Sequence, residues 1–273
     1  VDLCQISLIF DTNQRLFKVF FYSSLKNNLQ YATLKTLSLV SISVMSPQES
    51  VQEVFRTADC VCFDVDSTVI RDEGIDELAK FCGKGDEVKR LTAEAMGGTM
   101  TFQEALKKRL DIIRPSVSQI REFLEKFPVH LTPRVKQLVH TLQERGVEVY
   151  LVSGGFRSLI EPVAEILGVP KSHIYANRLK FYFNGEYAGF DENEPTSRSG
   201  GKGLVIRRLK EAHGYQRLVM IGDGATDAEA CPPADGFIGF GGNVVREEVK
   251  KKAAWYVTDF QDLIDSLAIQ TAK

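Results

Sequence analysis

The sequence predicts an α/β protein with a doubly wound, mostly parallel sheet, an inserted helical segment and a small β-hairpin. Three observations support this fold class. Short apolar runs alternate with longer stretches of helical periodicity, residues 74–131 carry helical patterns, and an Asn-Gly pair separates two aromatic runs. Because the apolar runs lack polar alternation, they are typical of strands that are covered on both faces.

Short apolar runs are the predicted strands of the sheet. They occupy residues 58–63, 148–152, 218–221, 237–240 and 255–257. Stretches with helical periodicity alternate with them, at residues 132–145, 157–167, 201–211 and 258–267. Such alternation predicts parallel strands that are joined by crossover helices.

Two local signals refine these elements. Thr132 followed by Pro133 is typical of a helix N-cap and a first helical position, so the helix is predicted to begin there. Cys60 and Cys62 alternate within an apolar run. Because successive strand residues point to opposite faces, both cysteines are predicted to face the same side of a buried strand.

Two segments interrupt the alternation. Residues 74–131 contain no convincing strand pattern and are predicted to form a helical insertion after the first strand. Residues 174–190 contain Asn184-Gly185 between aromatic runs. That pair predicts a β-hairpin with a two-residue turn.

Composition places the chain among ordinary globular proteins. Of its 273 residues, 44% are hydrophobic and 26% charged, which excludes disordered, collagen-like and mini-protein classes. The net charge of −2 argues against a generic basic surface for nucleic acid or anionic membranes. No uncharged apolar run approaches the ~20 residues of a membrane span. The 5 cysteines form no CxxC pair, which favours a reduced, cytoplasmic protein.

Residues 1–44 differ from the rest of the chain, being rich in Ser, Leu, Phe and Lys and poor in acids. Two interpretations compete. Such a composition is typical of an organelle-targeting segment, although those segments are usually richer in Arg. Alternatively, Met45 is the native start and the preceding residues are not native, which we favour because position 1 is Val.

An acidic pair follows the first predicted strand. Asp64 and Asp66 are separated by one residue at the carboxyl end of that strand, where ligands bind in open parallel sheets. Burial there disfavours the charged form of a carboxylate, and a bound cation would offset this cost. Taken alone, an Asx-type turn that caps the next helix would explain the pair equally well.

Other predicted strand ends carry polar groups that are suited to binding a cation or an anion. A glycine-rich turn places Asp223 and Asp227 after a second strand, and two acidic strand ends predict a site for a hard cation such as Mg²⁺. A third strand ends in Ser153 and Gly154, which offer a hydroxyl and backbone N–H groups to an anion. Lys202 opens a predicted helix, where it would favour phosphate, although a solvated helix start explains it as well.

The order of these motifs resembles the haloacid dehalogenase superfamily of phosphohydrolases, and the resemblance covers nearly all of the chain from Met45 onward. It implies a catalytic core at residues 45–73 and 132–273 and a substrate-specificity cap at residues 74–131. More narrowly, longer motifs resemble the phosphoserine phosphatases. These are Phe63-Asp-Val-Asp-Ser-Thr-Val, Glu73-Gly-Ile-Asp-Glu-Leu-Ala, Ala95-Met-Gly-Gly, Ser153-Gly-Gly-Phe-Arg, Ser199-Gly-Gly-Lys and Met220-Ile-Gly-Asp-Gly-Ala-Thr-Asp.

The resemblance implies a role for each matching core residue. Asp64 would be the nucleophile that forms an aspartyl-phosphate, and Asp66 would be the general acid and then the base. Mg²⁺ is expected on the Asp64 carboxylate, the Asp66 backbone carbonyl and Asp223, with Asp227 orienting that shell. The expected phosphate-binding residues are Ser153, Gly154 and Lys202.

The resemblance also implies that the cap selects the substrate. Glu73 would bind the ammonium group of O-phospho-L-serine, and Arg109 would bind its carboxylate, a task that suits a planar two-pronged donor. Met96 and Phe102 would exclude water when the cap closes. Without the resemblance, an exposed Arg109 and a plain cap core at Met96 and Phe102 explain these residues better. Further substrate-binding candidates are Gly97 and Thr226.

The expected activity is therefore Mg-dependent hydrolysis of O-phospho-L-serine, the last step of serine biosynthesis. We expect a small-molecule substrate and no nucleic-acid or membrane partner, and a homodimer stays open. Two alternatives stay open. Another phosphatase or phosphotransferase of the superfamily would use the same core on a different substrate or acceptor. A non-catalytic domain that holds phosphoryl on an aspartate would need neither the second Asp nor a cap.

Overall fold

The computed structural model describes residues 5–9, 18–22, 45–94 and 100–268, and the chain divides into two units between Ser46 and Pro47. In the first unit, β1 (Gln5–Ile9) pairs antiparallel with β2 (Lys18–Tyr22). Neither strand was predicted from the sequence. The interpretation of residues 1–44 as targeting or non-native otherwise lies outside the described residues.

The second unit is built on a parallel sheet. After β2, the strands are β3 (Cys60–Phe63), β4 (Glu148–Phe156), β5 (Ile174–Asn177), β6 (Leu179–Phe181), β7 (Tyr187–Phe190), β8 (Leu218–Gly222), β9 (Gly236–Phe240) and β10 (Trp255–Val257). Within the described part of the chain, six of them form one sheet in the order β10-β9-β8-β3-β4-β5, and each neighbouring pair is parallel. The predicted fold class is confirmed.

The helices cover both faces of this sheet and build the insertion that follows β3. They are α1 (Pro47–Arg56), α2 (Gly74–Phe81), α3 (Gly85–Glu94), α4 (Phe102–Ile113), α5 (Val117–Lys126), α6 (Val135–Glu144), α7 (Arg157–Leu167), α8 (Gly201–His213), α9 (Ala225–Ala228), α10 (Glu247–Lys252) and α11 (Gln261–Ala268). Val61 and Phe63 pack with side chains of α1, α6, α7 and α11, whereas Cys60 and Cys62 pack with side chains of α8 and α10. The predicted common face of the two cysteines is confirmed. Among the described residues, no helix combines the length and the apolar character that crossing a membrane requires.

The start of α6 corrects one prediction. The helix begins at Val135, after an N-cap residue, Arg134, with a left-handed backbone. Thr132, the predicted N-cap, is buried, and its hydroxyl donates to the backbone oxygen of Thr68 at 2.7 Å. Because this hydroxyl is committed to the segment that precedes the insertion, it does not cap α6, and the prediction of Thr132 as N-cap was wrong.

The insertion consists of α2, α3, α4 and α5, and its described residues contain no strand. Thr101 and Glu104 form a reciprocal capping box at the start of α4, and Ser116 and Gln119 form another at the start of α5. The apolar faces of the four helices share a core of their own, which also takes in Tyr187 from β7.

The hairpin prediction at residues 174–190 was correct in kind but wrong in extent. β5 does not belong to the hairpin, because it pairs with β4 as the edge strand of the sheet. β6 and β7 form the hairpin, and the amide of Tyr182 donates to the Glu186 oxygen at 2.8 Å, which leaves residues 183–185 in the loop rather than two residues. Gly185 has a φ of 86°, a conformation that glycine adopts at little cost.

Candidate active site

The carboxyl edge of the sheet gathers the polar groups that the sequence singled out. Asp64 follows β3, Asp223 follows β8, and Ser153 and Gly154 lie near the end of β4. This edge and the helical insertion border a cleft. The sequence-predicted residues that line it are Asp64, Asp66, Glu73, Phe102, Arg109, Gly154, Lys202, Asp223 and Thr226.

Asp64 ends β3 in a tight turn. Its backbone amide donates to the Ile221 oxygen at 2.9 Å, and its Oδ1 accepts the Val65 amide at 2.7 Å. The chain then turns over Val65–Val69, where Ser67 has a φ of 55°. A left-handed conformation at a residue other than glycine persists when its surroundings hold it. The turn keeps Asp64 and Asp66 on the wall of the same cleft.

Lys202 lies among the carboxylates. Although it belongs to the first turn of α8, its side chain is buried, and its Nζ is 2.8 Å from Asp64 Oδ1 and 2.6 Å from Asp227 Oδ1. Burial lowers the pKa of Lys202, but the carboxylates of Asp227 and Asp64 outweigh it and raise the pKa above its ordinary value. The ammonium group is therefore charged, and the alternative of a solvated helix start was wrong.

Asp66 is held as a neutral acid. Its Oδ1 accepts the Gly74 amide at 2.9 Å. Burial, together with the negative charges of Glu73 and Asp64, raises the pKa of Asp66 to about 8, although the hydrogen bond from Gly74 and the charge of Lys202 lower it. A carboxyl group with this pKa keeps its proton at neutral pH. Asp66 can therefore donate a proton beside Asp64, whose carboxylate faces an ammonium group.

Three carboxylates lie close enough to hold a cation. Among the described residues, oxygen atoms of Asp64, Asp223 and Asp227 lie within 4.8 Å of one another. Burial, and then the charge of Asp64, raises the pKa of both Asp223 and Asp227. Buried carboxylate oxygens are the donors that Mg²⁺ takes in proteins, and a divalent cation would offset their mutual repulsion. The donor set fits such an ion.

The carboxylates of Asp223 and Asp227 have different hydrogen-bond partners. Asp227 Oδ1 accepts Lys202, and its Oδ2 accepts the Gly224 amide at 2.9 Å, so both oxygens are committed to the protein. Asp223 Oδ1 accepts the Thr68 hydroxyl at 3.1 Å, and its Oδ2 faces the Arg246 side chain at 2.8 Å. Asp223 lines the cleft and Asp227 does not, so Asp223 is the more accessible of the two carboxylates.

The end of β4 forms a wall of backbone beside Asp66. The Ser153 hydroxyl is buried and accepts the Gly155 amide at 2.9 Å, and Asn177 Nδ2 donates to the Gly154 oxygen at 2.7 Å. A Cβ atom at Gly155 would lie 2.7 Å from Asp66 Oδ2, which is closer than such contacts allow. Glycine at this position lets the backbone approach the acid.

Glu73, at the end of the core segment, and residues of the insertion complete the cleft. Glu73 accepts the Ser67 hydroxyl at 2.7 Å, and burial raises the pKa of Glu73. Arg109 is half-buried in the cleft wall, and burial lowers its pKa, so the alternative of an exposed helix residue was wrong. Phe102 packs over Gly154, because a Cβ there would meet its ring at 2.9 Å. The predicted site residues Met96 and Gly97 lie outside the described residues.

Comparisons with known proteins identify the family. A model of the haloacid dehalogenase-like hydrolases matches residues 58–235. The phosphoserine phosphatase of Bos taurus is 58% identical over 223 residues, which span 82% of this chain and 99% of that protein. The chain belongs to the phosphoserine phosphatase family of haloacid dehalogenase-like hydrolases. The resemblance inferred from its motifs is confirmed.

Other members of the phosphoserine phosphatase family agree with this assignment. The chloroplastic phosphoserine phosphatase of Arabidopsis thaliana is 50% identical over 223 residues, which span 81% of this chain and 76% of that protein. A solved structure of a phospho-aspartyl intermediate analogue of phosphoserine phosphatase superposes with a TM-score of 0.66 at 27% identity. The match covers 76% of this chain and 98% of that chain.

Several polar residues in the cleft of this phosphoserine phosphatase family member were not predicted from the sequence. They are Thr196, Arg198 and Arg246. Arg246 joins the core to the start of the insertion, because its Nε faces Asp223 and its Nη2 lies 3.3 Å from Glu73 Oε1. It follows the carboxyl end of β9, so the same sheet-edge rule that selected Asp64 could have pointed to this loop.

Proposed function

We propose that this chain hydrolyses O-phospho-L-serine to L-serine and phosphate through an aspartyl-phosphate on Asp64, with Mg²⁺ as its cofactor. The observation that carries the proposal is the contrast between two neighbouring carboxyl groups. Asp64 lies 2.8 Å from the Lys202 ammonium, whereas the pKa of Asp66, at about 8, keeps a proton available for the leaving group. The 58% identity to a phosphoserine phosphatase supports the substrate.

In the first half-reaction, the Asp64 carboxylate attacks phosphorus, and the bond between phosphorus and the serine oxygen breaks. Asp66 gives its proton to the departing oxygen, which would otherwise leave as an unstable alkoxide. Lys202 and the backbone N–H group of Gly154 would stabilise negative charge on the phosphoryl oxygens. Ser153 supports that backbone through its hydrogen bond with the Gly155 amide.

In the second half-reaction, Asp66 acts as a base. Now ionised, it takes a proton from water, whose oxygen attacks phosphorus as the bond to Asp64 breaks. Phosphate leaves, and both carboxyl groups return to their starting protonation states. A pKa near the working pH suits both halves, because the group must give and accept a proton in each cycle.

Mg²⁺ would be held by the carboxylates of Asp64 and Asp223 and by the backbone carbonyl of Asp66. When bound, the ion supplies positive charge that neutralises the phosphoryl group beside these carboxylates. Asp227 keeps Lys202 directed at Asp64 through its 2.6 Å contact with the ammonium group.

The insertion would act as a cap (residues 74–131) over a catalytic core (residues 45–73 and 132–273). Glu73 would bind the substrate ammonium group, and Arg109 would donate two parallel hydrogen bonds to its carboxylate. Phe102, which already packs over Gly154, would exclude water together with Met96. Gly97 and Thr226 would complete the substrate-binding wall.

We assign the reaction to the last step of serine biosynthesis, because its product would be L-serine. We place the chain in the cytoplasm, because its described cysteines, Cys60, Cys62, Cys82 and Cys231, are free thiols. The chloroplastic relative makes an organelle the competing location. Fractionation of cells with an antibody to the native protein separates the two.

Phosphate release from a panel of phosphomonoesters tests the proposal. With Mg²⁺ present, phosphoserine should be the preferred substrate over phosphothreonine and p-nitrophenyl phosphate, EDTA should abolish turnover, and added Mg²⁺ should restore it. Asp64→Asn, which keeps the shape of the side chain, is the inactive control. Failure on phosphoserine would reject the substrate, activity in EDTA would reject the metal, and transfer to an added alcohol such as homoserine would indicate a phosphotransferase.

A further inference from the structure

Asn243 lies where three segments of the chain meet. It belongs to the loop after β9, and its Nδ2 is 3.0 Å from the Ser67 oxygen, 3.3 Å from the Ile70 oxygen and 2.7 Å from Thr132 Oγ1. The first two oxygens belong to the segment that leads from β3 into the insertion. Thr132 lies where the chain returns from the insertion to the core. One side chain therefore bonds to both connections of the insertion.

Thr132 extends the same network. Its hydroxyl donates to the Thr68 oxygen at 2.7 Å, and its amide donates to the Val69 oxygen at 2.9 Å. Asn243 and Thr132 together thus supply hydrogen bonds to the carbonyl groups of all four residues from 67 to 70. Thr68 and Val69 are fully buried, where an unpaired carbonyl costs ~1–3 kcal/mol.

The segment that these two side chains hold carries the proposed general acid. Ser67, the neighbour of Asp66, has a left-handed φ of 55°, a conformation that costs free energy and needs support from outside the turn. The direction of the Asp66 carboxyl group depends on this backbone. A displacement of about 1 Å of an acid from its productive position is enough to lower the rate ~10²-fold.

We propose that Asn243 is a positioning residue for the general acid. Through the carbonyl groups of Ser67 and Ile70, it fixes the turn that aims Asp66 at the leaving-group oxygen. This inference rests on the proposed function, in which Asp66 protonates that oxygen. Asn243 acts through the backbone of this segment, so we expect its main effect on the step that needs the acid.

The dependence of kcat/KM on the leaving group tests this role. A series of substituted phenyl phosphates varies the basicity of the leaving group while lacking the groups that Glu73 and Arg109 would bind. Basic leaving groups need a proton from Asp66, and acidic ones do not. In Asn243→Ala, kcat/KM should fall by about 10–100-fold for the most basic leaving group and for phosphoserine, and remain nearly unchanged for p-nitrophenyl phosphate.

Further variants separate positioning from damage to the fold. Thr132→Val removes the hydroxyl and should reproduce the leaving-group pattern, whereas Thr132→Ser keeps the hydroxyl and should behave like the wild type. Val245→Ala is the matched control in the same loop, because Val245 is 55% exposed. Circular dichroism and thermal unfolding establish that each variant is folded.

The outcomes separate a failure of the proposed function from a failure of the positioning inference. If the wild type does not hydrolyse phosphoserine, the proposed function fails. If the wild type is active but the folded Asn243 and Thr132→Val variants lose the same factor on every phenyl phosphate, Asn243 has a general structural role and the positioning inference is overturned. A loss confined to phosphoserine would also overturn it, since that result would indicate an effect on substrate binding through Glu73.

Discussion

Replacing Lys202 with methionine would remove the cation that the structure places among the acidic side chains. The ammonium group is buried and contacts Asp64 Oδ1 at 2.8 Å and Asp227 Oδ1 at 2.6 Å. Methionine has a similar length but no charge, so the metal-free variant leaves both carboxylates facing each other. Breaking a buried ion pair by removing one partner costs ~3–5 kcal/mol. Since two carboxylates lose the same partner, we expect a loss of free energy of unfolding near the upper end of that range.

This loss should be visible as a change in melting temperature. In a domain of this size, each 1 kcal/mol lowers the Tm by about 2–4 °C, so the variant should melt about 10–20 °C below the wild type. Carboxylates without a counterion take up protons more readily, which stabilises the folded variant as the pH falls. The difference in Tm between the wild type and the variant should therefore become smaller as the pH is lowered from ~8 to ~5. Adding Asp227→Asn should restore part of the stability, because it removes one unpaired carboxylate.

Thermal unfolding in EDTA, followed by circular dichroism, measures these effects. Lys210→Met is the matched control, because Lys210 lies on the same helix and pairs with Asp235 at 2.7 Å but is partly exposed. A pair of that kind contributes ~0.2–1 kcal/mol. If Lys202→Met melts no lower than Lys210→Met, the buried ammonium does not hold the carboxylates together and the reasoning is refuted.

Three further predictions concern the cleft. Arg109→Ala should raise KM for phosphoserine by ~10–100-fold, because a charged hydrogen-bonding partner of the carboxylate is lost, and leave KM for p-nitrophenyl phosphate unchanged; equal effects would place Arg109 outside the amino-acid pocket. Gly155→Ala should lower kcat by ~10²-fold with little change in Tm, because the new Cβ would lie 2.7 Å from Asp66 Oδ2; a wild-type kcat would show that this contact is unimportant. Because burial raises the pKa of Asp66 from 3.8 to about 8, the folded metal-free protein binds more protons than the unfolded chain between those values. Its free energy of unfolding should fall as the pH rises through that window. In Asp66→Asn, this dependence on pH, measured by urea unfolding, should be weaker. The same dependence in the variant and the wild type would contradict the raised pKa of Asp66.

The sheet and its acidic edge were predictable from the sequence because both depend on local patterns. Apolar runs without polar alternation marked the central strands, and the parallel arrangement then required Asp64 and Asp223 to meet at one edge. The edge strand β5 was missed because the aromatic and Asn-Gly signals of the following hairpin extended over the same short stretch. Its pairing with β4 is a tertiary contact that no local pattern in residues 174–177 predicts.

The supporting residues of the site could not be predicted for a related reason. Asn243 bonds to Ser67 across 176 positions of sequence, and Arg246 reaches Glu73 across 173. Neither residue belongs to a recognisable local motif, although the sheet-edge rule points to the loop after β9 that carries both. Thr132 shows the opposite error, since a sound helix-start signal was overridden by a hydrogen bond to Thr68, 64 positions away. Local sequence patterns predicted the candidate site residues, whereas long-range contacts determine which residues hold them in place.

Trapping the covalent intermediate tests the central claim most directly. The enzyme would be mixed with Mg²⁺ and radiolabelled phosphoserine, quenched in acid during turnover, digested and mapped by peptide. We predict that the wild type carries the label on Asp64 and that Asp64→Asn carries none. Label on a different residue, or release of phosphate by Asp64→Asn at the wild-type rate, would contradict the account.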